Sequence, residues 1–306
     1  NVATGDYAGG GGAFRCTLNR CLIAGNRATG SVGSGGGADQ CTLNNCLVIS
    51  NSAPYVGGLQ ICTANNCTIV GNSAAGGAGS WGGGAGNSTL NNCIVCYNYS
   101  PDAPDCGHNT SVSYCCVPTL QDGPRNFTNP PAFVDLAAGD FHLQFSSSCI
   151  NSGWNASAPP GTDYDGHTRM VGSAVDVGAY EFAAPVSVIS YGWLQQFGLP
   201  TDGSADFVDT DGDGLNNWQE WRANTDPTTG LSALRVLSIS NALPGVAVTW
   251  RSASNVTYYL DRSTNIGTQH SFSIIKAGIP SQGLSTTCTD SNAAPNAPIF
   301  YRVGVQ

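Results

Sequence analysis

Short stretches in which apolar residues alternate with other residues recur through the first third of the chain. In the first of them, Cys21 and Ile23 are predicted to point inward and Leu22 outward, as the alternation of a β-strand requires. The same inward pair returns three times, as Cys46/Val48, Cys67/Ile69 and Cys93/Val95. A second inward column is expected just upstream, at Leu18, Leu43, Ala64 and Leu90. These patterns predict short stacked strands.

The alternating stretches belong to an imperfect repeat that is rich in glycine and asparagine. Its four clear copies span residues 9–28, 35–53, 57–74 and 82–100. The aligned cysteines of these copies lie 25, 21 and 26 residues apart, and a degenerate fifth copy at 111–117 places Cys115 at the same position. This period fits one turn of a parallel β-helix with about three short strands, the turns being stacked at ~4.8 Å. The predicted fold class is all-β, with a right-handed parallel β-helix in residues 1–183.

Two asparagine columns run through the same repeat. Their members are Asn19/Asn44/Asn65/Asn91 and Asn26/Asn51/Asn72/Asn98. Asparagine tolerates the left-handed backbone of a tight turn, and its amide can bond the same amide one turn above. We therefore expect these columns to form ladders at the corners of the turns. The glycine clusters permit close backbone approach; no helical pattern follows them, which argues against a phosphate-binding loop.

Thirteen cysteines favour an oxidising, extracellular compartment. The recurring C-x4-C spacing and four scattered histidines argue against zinc, which prefers CxxC pairs with histidine partners. Disulfides and stacked buried thiols both fit the pattern, and pairing between turns or within a turn stays open. The disulfide candidates are Cys16, Cys21, Cys41, Cys46, Cys62, Cys67, Cys93, Cys96, Cys106, Cys115, Cys116 and Cys149. The odd count leaves at least one cysteine over, and Cys288 is its first candidate.

Two segments follow the repeats, FVDLAAGDFHLQFSSSCINSGWN (133–155) and TDYDGHTRMVGSAVDVGAYEF (162–182). They resemble the end of the choice-of-anchor Q β-helix domains of secreted bacterial proteins. The repeats themselves resemble those of bacterial surface β-helix proteins, such as polymorphic outer-membrane proteins and autotransporter-like passengers. This resemblance covers residues 1–183, with rungs in 1–118 and a cap in 119–183 that closes the C-terminal side. It implies secretion and display at the cell surface, and it implies no catalytic mechanism.

Residues 209–220, DTDGDGLNNWQE, match the calcium-loop pattern D-x-[DN]-x-[DN]-G-x5-E. Hard oxygen ligands in this order suit Ca²⁺, whereas a solvated acidic loop would explain the carboxylates but not the glycine and glutamate positions. The predicted ligands are Asp209, Asp211, Asp213, the Leu215 carbonyl, Asn217 or a water, and Glu220. Helical patterns flank the loop, so 184–230 is predicted to be a calcium-binding helical linker. It resembles dockerin halves and thrombospondin type 3 repeats, and its single loop favours a structural role for the ion.

Short alternating segments separated by turn residues fill the chain from residue 231 onward. The expected strands are LRVLSIS, VAVTWRS, TYYLDRS, HSFSIIK and IFYRVGV. They predict a small β-sandwich in 231–306 that resembles a fibronectin type III module. Trp250 is expected to be its core aromatic residue.

Composition narrows the classes of function. Charged residues make up only 10% of the chain and the net charge is −9, which argues against nucleic acid and against a polybasic membrane contact. No window contains the ~20 apolar residues of a membrane span. Asp6 and Asp39 are the only acids in residues 1–100, so the carboxylate pair of a glycosidase is not evident. We therefore expect no enzyme; the strongest catalytic cluster, Asp163, Asp165 and His167, is better interpreted as turn residues of the cap.

The preferred hypothesis from the sequence is a self-assembling extracellular structural protein. The opening Asn1-Val-Ala matches the Asn-x-Ala that ends each copy, so the first turn is expected to expose an uncapped edge. Head-to-tail contacts through such an edge would give a homo-oligomer or a filament. The alternative is an adhesin or a glycan-binding protein, in which Tyr55 and Trp81 stack on sugars. Glycosylation sequons begin at Asn66, Asn87, Asn98, Asn109, Asn126, Asn155 and Asn255.

Overall fold

The structure, a computed structural model, describes residues 1–76, 79–119, 121–242, 244–265, 272–293 and 298–306. The chain forms two compact units, Asn1–Gly203 and Ser204–Gln306. Their boundary falls inside the segment 184–230 that the sequence assigned to a linker. No helix in the described part of the chain has the length and apolar character needed to cross a membrane.

The first unit contains a parallel β-solenoid with four walls, each of them a parallel sheet. Wall 1 consists of β1 (Val2–Thr4), β5 (Arg27–Thr29), β9 (Ser52–Ala53) and β13 (Ser73–Ala74). Wall 2 consists of β2 (Ala13–Phe14), β6 (Ala38–Asp39), β10 (Leu59–Gln60) and β14 (Ala85–Gly86). Wall 3 consists of β3 (Thr17–Asn19), β7 (Thr42–Asn44), β11 (Thr63–Asn65), β15 (Thr89–Asn91) and β17 (Ser111–Ser113). Wall 4 consists of β4 (Leu22–Ala24), β8 (Leu47–Ile49), β12 (Thr68–Val70) and β16 (Ile94–Cys96).

The parallel β-helix is confirmed, but the expectation of three strands per turn is wrong, because each full turn contributes a strand to all four walls. A residue with positive φ follows each strand of walls 2, 3 and 4 and turns the chain through a corner. In the first turn these corner residues are Arg15, Arg20 and Gly25, with φ of 51°, 51° and 63°. They are five positions apart, as are the cysteines of each C-x4-C pair. Each C-x4-C pair therefore flanks one strand of wall 3 and the corner residue that follows it.

The predicted inward columns are confirmed. Ile23, Val48, Ile69 and Val95 form one buried column of a shared apolar core, and Leu43, Ala64 and Leu90 lie in another. The cysteines alternate with these residues inside the solenoid. Several cysteine thiols accept hydrogen bonds from the backbone of the preceding turn, as when Cys46 N donates to the Cys67 Sγ at 3.4 Å. Cysteine therefore satisfies backbone donors that would otherwise be buried without partners.

Both asparagine columns form amide ladders; the column that begins at Asn26 lies at the corner between walls 4 and 1, as expected, whereas the column that begins at Asn19 lies within the strands of wall 3. The column that begins at Asn26 is buried, and Asn51 Nδ2 donates to Asn72 Oδ1 at 2.9 Å. The column that begins at Asn19 lies on the outer surface of wall 3, where Asn44 Nδ2 donates to Asn19 Oδ1 at 2.9 Å. The left-handed corners belong instead to the residues that follow this outer column, such as Asn45 with φ of 52°.

The segment that follows the repeats covers one end and one side of the solenoid. Residues 124–127 pair with the fifth turn, since Tyr114 N donates to the Pro124 carbonyl and Phe127 N to that of Cys115, at 2.8 and 3.0 Å. The rest lies along the outside of wall 4 and buries the outward residues Leu47 and Ile94. The expected C-terminal cap is therefore also a lateral cover. The cap contains β18 (Phe133–Asp135), β19 (Asp140–Leu143) and a 3₁₀ helix (Asn155–Ser157), and it is followed by α1 (Tyr191–Gln196), the helix expected at the start of the segment 184–230.

The second unit begins with an acidic loop and α2 (Asn217–Ala223), followed by two antiparallel sheets. One sheet consists of β20 (Val236–Asn241), β21 (Val246–Arg251) and β24 (Ser285–Asp290). The other consists of β22 (Thr257–Ser263), β23 (Ser273–Pro280) and β25 (Phe300–Val305). Trp250 is fully buried and meets Tyr258 edge to face at 5.7 Å between ring centroids, which confirms its place in the core. Sequence analysis missed β24, whose residues are mostly polar.

Candidate metal centre

Three aspartates of the loop 209–220 converge on one point. One carboxylate oxygen from each of Asp209, Asp211 and Asp213 lies within 4.8 Å of the other two. Gly212, between Asp211 and Asp213, and Gly214, directly after Asp213, have positive φ of 79° and 98°. Residues with a side chain rarely adopt such angles, so the glycines allow the carboxylates to meet.

Backbone N–H groups hold the aspartates in this arrangement. Asp209 Oδ1 accepts from Gly212 N at 2.8 Å, and Asp209 Oδ2 accepts from Gly214 N at 2.9 Å. Asp211 Oδ1 accepts from Asp213 N at 3.2 Å, and Asp213 Oδ1 accepts from Leu215 N at 2.8 Å. Asp211 and Asp213 are each held by one oxygen, which leaves their Oδ2 atoms without a hydrogen bond among the described residues.

A fourth carboxylate, that of Glu220 on helix α2, lies near enough to feel the charge of Asp211 but is not one of the three that meet within 4.8 Å. Glu220 is fully buried, and its Oε1 accepts a hydrogen bond from Thr225 Oγ1 at 3.2 Å. Burial, together with the nearby charge of Asp211, raises the pKa of Glu220 to about 7. Burial and the charge of Asp213 raise the pKa of Asp211 as well. The acids therefore repel one another, with Glu220 buried, Asp211 and Asp213 half-buried and Asp209 exposed.

Three oxygen atoms of the cluster are buried without a hydrogen-bond partner among the described residues: Asp211 Oδ2, Asp213 Oδ2 and Glu220 Oε2. Buried polar atoms are nearly always paired, and unpaired carboxylates are the costliest exceptions. A bound cation would pair with all three oxygens and offset the repulsion between the acids. The donor set consists of hard oxygens only, which suits a hard cation rather than a thiophilic metal. The loop therefore fits a metal ion.

The two remaining predicted ligands have structural contacts of their own. Asn217 is fully buried; its Nδ2 donates to the Ala205 carbonyl at 2.8 Å and its Oδ1 accepts from Thr210 Oγ1 at 2.9 Å. Leu215 contributes its backbone N–H to Asp213. Helix α2 begins at a capping box, in which Asn216 accepts from Gln219 N and Gln219 Oε1 accepts from Asn216 N. This start fixes the distance from the loop to Glu220.

Thr225 is a site residue that the loop pattern does not include. It follows the left-handed C-cap Asn224, whose φ is 55°, and its hydroxyl returns to Glu220 one turn earlier. The cap geometry, rather than the spacing of acids, brings it there. A threonine directly after a helix that ends in asparagine is too common a pattern to reveal this contact.

The strongest catalytic candidates of the first unit do not share a site. Asp163 is buried, and its oxygens accept from His167 N at 2.8 Å and from Glu181 N at 3.0 Å. Asp165 instead pairs with His142, whose Nε2 lies 2.7 Å from Asp165 Oδ2. The His167 ring is exposed, with its Nδ1 3.8 Å from Asp163 Oδ2. These contacts support the interpretation of the aspartates as residues that shape the cover.

Residues 176–182 (DVGAYEF), the end of one of the two segments that resemble choice-of-anchor Q domains, belong to a buried polar cluster. Arg169 is nearly fully buried and donates to the carbonyls of Asp176, Gly178 and Ala179 at 2.7, 3.0 and 3.1 Å. Its guanidinium lies 3.5 Å from Glu181 Oε2. The cluster has a packing role because it gathers the backbone of the segment around one cation. Gly178 N donates to the carbonyl of the corner residue Asn92, and Ala179 N donates to Thr68 Oγ1 on wall 4. These bonds attach the cover to the solenoid.

The other predicted sites are spread over the surface and the core. Tyr55 and Trp81, the candidate sugar-stacking residues, lie 5.7 Å apart between ring centroids with a tilt of 59°. Of the sequon asparagines, Asn66 and Asn98 are buried and donate their amide groups inside the first unit. The exposed sequon asparagines are Asn109, Asn155 and Asn255, whereas Asn87 and Asn126 are half-buried.

All thirteen cysteines carry free thiols in the structure. The solenoid therefore contains stacked thiols, one of the two states that the sequence allows. Disulfide formation stays a prediction. Thiols of adjacent turns approach one another, with Cys16 Sγ 3.6 Å from Cys41 Sγ. Cys288 is buried in the core of the second unit.

Comparison of the chain with protein-family models, with curated proteins and with solved structures finds no match. The family resemblances of the sequence therefore stay predictions. What is established is a parallel β-solenoid, a pair of antiparallel sheets and an acidic loop that could hold a metal ion.

Proposed function

We propose that the chain is a secreted structural protein without enzymatic activity, and that a calcium ion braces its second unit at the loop 209–220. The observation that carries the proposal is the set of three buried, unpartnered carboxylate oxygens. Asp209, Asp211, Asp213 and Glu220 would hold the ion, and its positive charge would offset their repulsion. Calcium accepts six to eight oxygen ligands in flexible geometries, which suits a loop of this length better than the stricter octahedron of magnesium.

The ion would act as a structural clip between the loop and helix α2. Three ligands belong to the loop and the fourth, Glu220, belongs to the helix, so the bound cation ties the two segments together. Trp221, the next residue, is buried, and Thr225 bonds Glu220 from the segment after the helix. Loss of the ion would therefore loosen the start of the second unit.

The proposal is tested by thermal unfolding of the full chain with calcium and with excess chelator. Calcium at a hundred times its Kd adds about 2.7 kcal/mol, or a rise in Tm of roughly 10–20 °C for a unit of this size. Asp211→Asn should abolish the rise, whereas Asp6→Asn, at an exposed carboxyl of the first unit, should keep it. Equal melting of the native protein in both conditions would reject the clip.

Glycan binding is a second candidate, supported by the pair Tyr55 and Trp81. Trp81 is 41% exposed and both rings lie in the connections between walls 1 and 2. Exposed aromatic faces of this kind can stack on sugars. A glycan array probed with the native chain and with Trp81→Ala tests it: signals that the variant loses support glycan binding, and an array without signals rejects it.

A further inference from the structure

Three of the four solenoid walls are covered or irregular on the outside, and wall 3 is neither. The cover lies on wall 4, and the outward residues Asp39 and Gln60 of wall 2 are buried. Wall 1 presents mixed outward residues, including Val2 and Arg27. Wall 3 alone presents the same two residue types turn after turn, and it is the wall with five strands.

The outward surface of wall 3 is a two-column array. One column consists of Thr17, Thr42, Thr63 and Thr89, which pair in register with one another. The other consists of Asn19, Asn44, Asn65 and Asn91, again in register. The fifth strand continues both columns with serine, at Ser111 and Ser113. Parallel stacking spaces the turns at ~4.8 Å, and two residues along a strand separate the columns by ~6.6 Å.

The array is held rigid by its own amides. Asn44 Nδ2 donates to Asn19 Oδ1 at 2.9 Å, Asn65 to Asn44 at 2.9 Å, and Asn91 to Asn65 at 3.0 Å. Side-chain ladders of this kind stabilise flat sheets. No hydrogen bond within the described residues engages the threonine hydroxyls, so they point to solvent as a row of unused donors and acceptors.

The chemistry of the array indicates its ligand. Its outward positions carry no charge, so an ionic polymer finds no counter-charge there. They also carry no aromatic ring, so a sugar chain finds no surface on which to stack. What fits is an uncharged, periodic lattice of hydrogen-bond donors and acceptors. Ordered water is such a lattice, and the oxygen atoms of hexagonal ice repeat along one axis at about the spacing of stacked β-strands.

We propose that the outward surface of wall 3 binds the surface of an ice crystal. The hydroxyl and amide groups hold a layer of water in register with the lattice, and because the ladder is rigid before binding, little conformational entropy is lost. Binding requires the flatness of the surface as well as its polarity. The inference is independent of the calcium loop, which lies in the other unit.

The test measures thermal hysteresis and partition of the full chain into a slowly growing ice phase. The native protein should enter the ice and show hysteresis. Thr63→Tyr, which raises a ring above the flat array, should abolish both, while Ser73→Tyr, on wall 1 of the same turn, should retain them. If Thr63→Tyr fails to fold by circular dichroism, Thr42→Lys replaces it with the same expected loss. Absence of the native chain from ice overturns the proposal, as does retention of hysteresis by folded Thr63→Tyr or Thr42→Lys. Binding to crystalline cellulose or chitin in place of ice overturns it in favour of a polysaccharide ligand.

Discussion

Thr225 donates a hydrogen bond to one oxygen of Glu220 at 3.2 Å, while the other oxygen, Oε2, is buried without a partner in the described chain. One oxygen of the carboxylate is thus fixed by the protein, and the other is buried and left for a cation. This division explains how a loop of acids is kept in place before any cation arrives.

Glu220→Gln should have opposite effects with and without calcium. In chelated protein it removes one of four mutually repelling charges, so the second unit should melt at a higher temperature than the native one. In calcium it removes a ligand charge. Removing a residue that only hydrogen-bonds a metal ligand lowers metal affinity by about 10–100-fold. Removing the ligand charge of Glu220 should therefore lower calcium affinity by more than about 100-fold. Differential scanning calorimetry in both conditions measures the two effects; a variant destabilised in both would indicate simple loss of packing.

The buried asparagine ladder should be far more sensitive to truncation than the exposed one. Asn72→Ala leaves the N–H and the amide of Asn51 without their acceptor, which Asn72 Oδ1 provides at 3.0 and 2.9 Å. Each buried group left unpaired costs about 1–3 kcal/mol, so a loss of roughly 2–6 kcal/mol is expected. Asn44→Ala, on the exposed ladder, should cost less than about 1 kcal/mol. Urea unfolding of the two variants checks this, and equal losses would contradict the distinction.

His142 should titrate above the ordinary histidine range. Burial alone lowers its pKa, but the Asp165 and Asp140 carboxylates at its two ring nitrogens, 2.7 and 2.5 Å away, raise the pKa overall. Because the folded-state pKa is raised, the protonated ring stabilises the first unit below pH 6.5, and this contribution is lost as pH rises through the raised value. A ring-proton NMR titration should give His142 a pKa above the ordinary histidine value of about 6.5. A pKa at or below that value would contradict the bridge.

The cysteines should differ sharply in their accessibility. Cys16 is exposed, Cys21 and Cys106 are half-buried, and the remaining ten thiols are buried. A reduced native sample treated with an alkylating reagent should therefore be modified first at Cys16, with the buried thiols protected until the chain unfolds. Mass spectrometry of digests measures the order. Without prior reduction, any disulfide of the first turn should join Cys16 to Cys41, whose sulfurs lie 3.6 Å apart, and uniform labelling would contradict the packed core.

The repeat carried most of what the sequence could predict. Cysteine and aliphatic residues at fixed intervals identify the inward columns because burial acts on every turn in the same way. The number of walls was harder to predict, since it depends on the left-handed corners, and at Arg20 or Ile61 nothing in the residue type marks such a backbone. The strand Ser285–Asp290 was missed because its polar residues lack the apolar alternation.

Contacts between distant segments were beyond the reach of the pattern. The loop 209–220 could be recognised because its ligands are consecutive in sequence. The pairing of His142 with Asp165, or the packing of the cover on Leu47, depends on how the chain returns to an earlier wall. The spacing of residues within one turn does not predict where a later segment packs.

Isothermal titration of calcium into chelator-treated protein tests the central claim most directly. The native chain should bind one Ca²⁺, and Asp211→Asn should bind none at the same concentrations, while Asp6→Asn matches the native chain. A native chain that binds no calcium, or that binds it equally well after Asp211→Asn, would contradict the assignment of Asp209, Asp211, Asp213 and Glu220 as a calcium site.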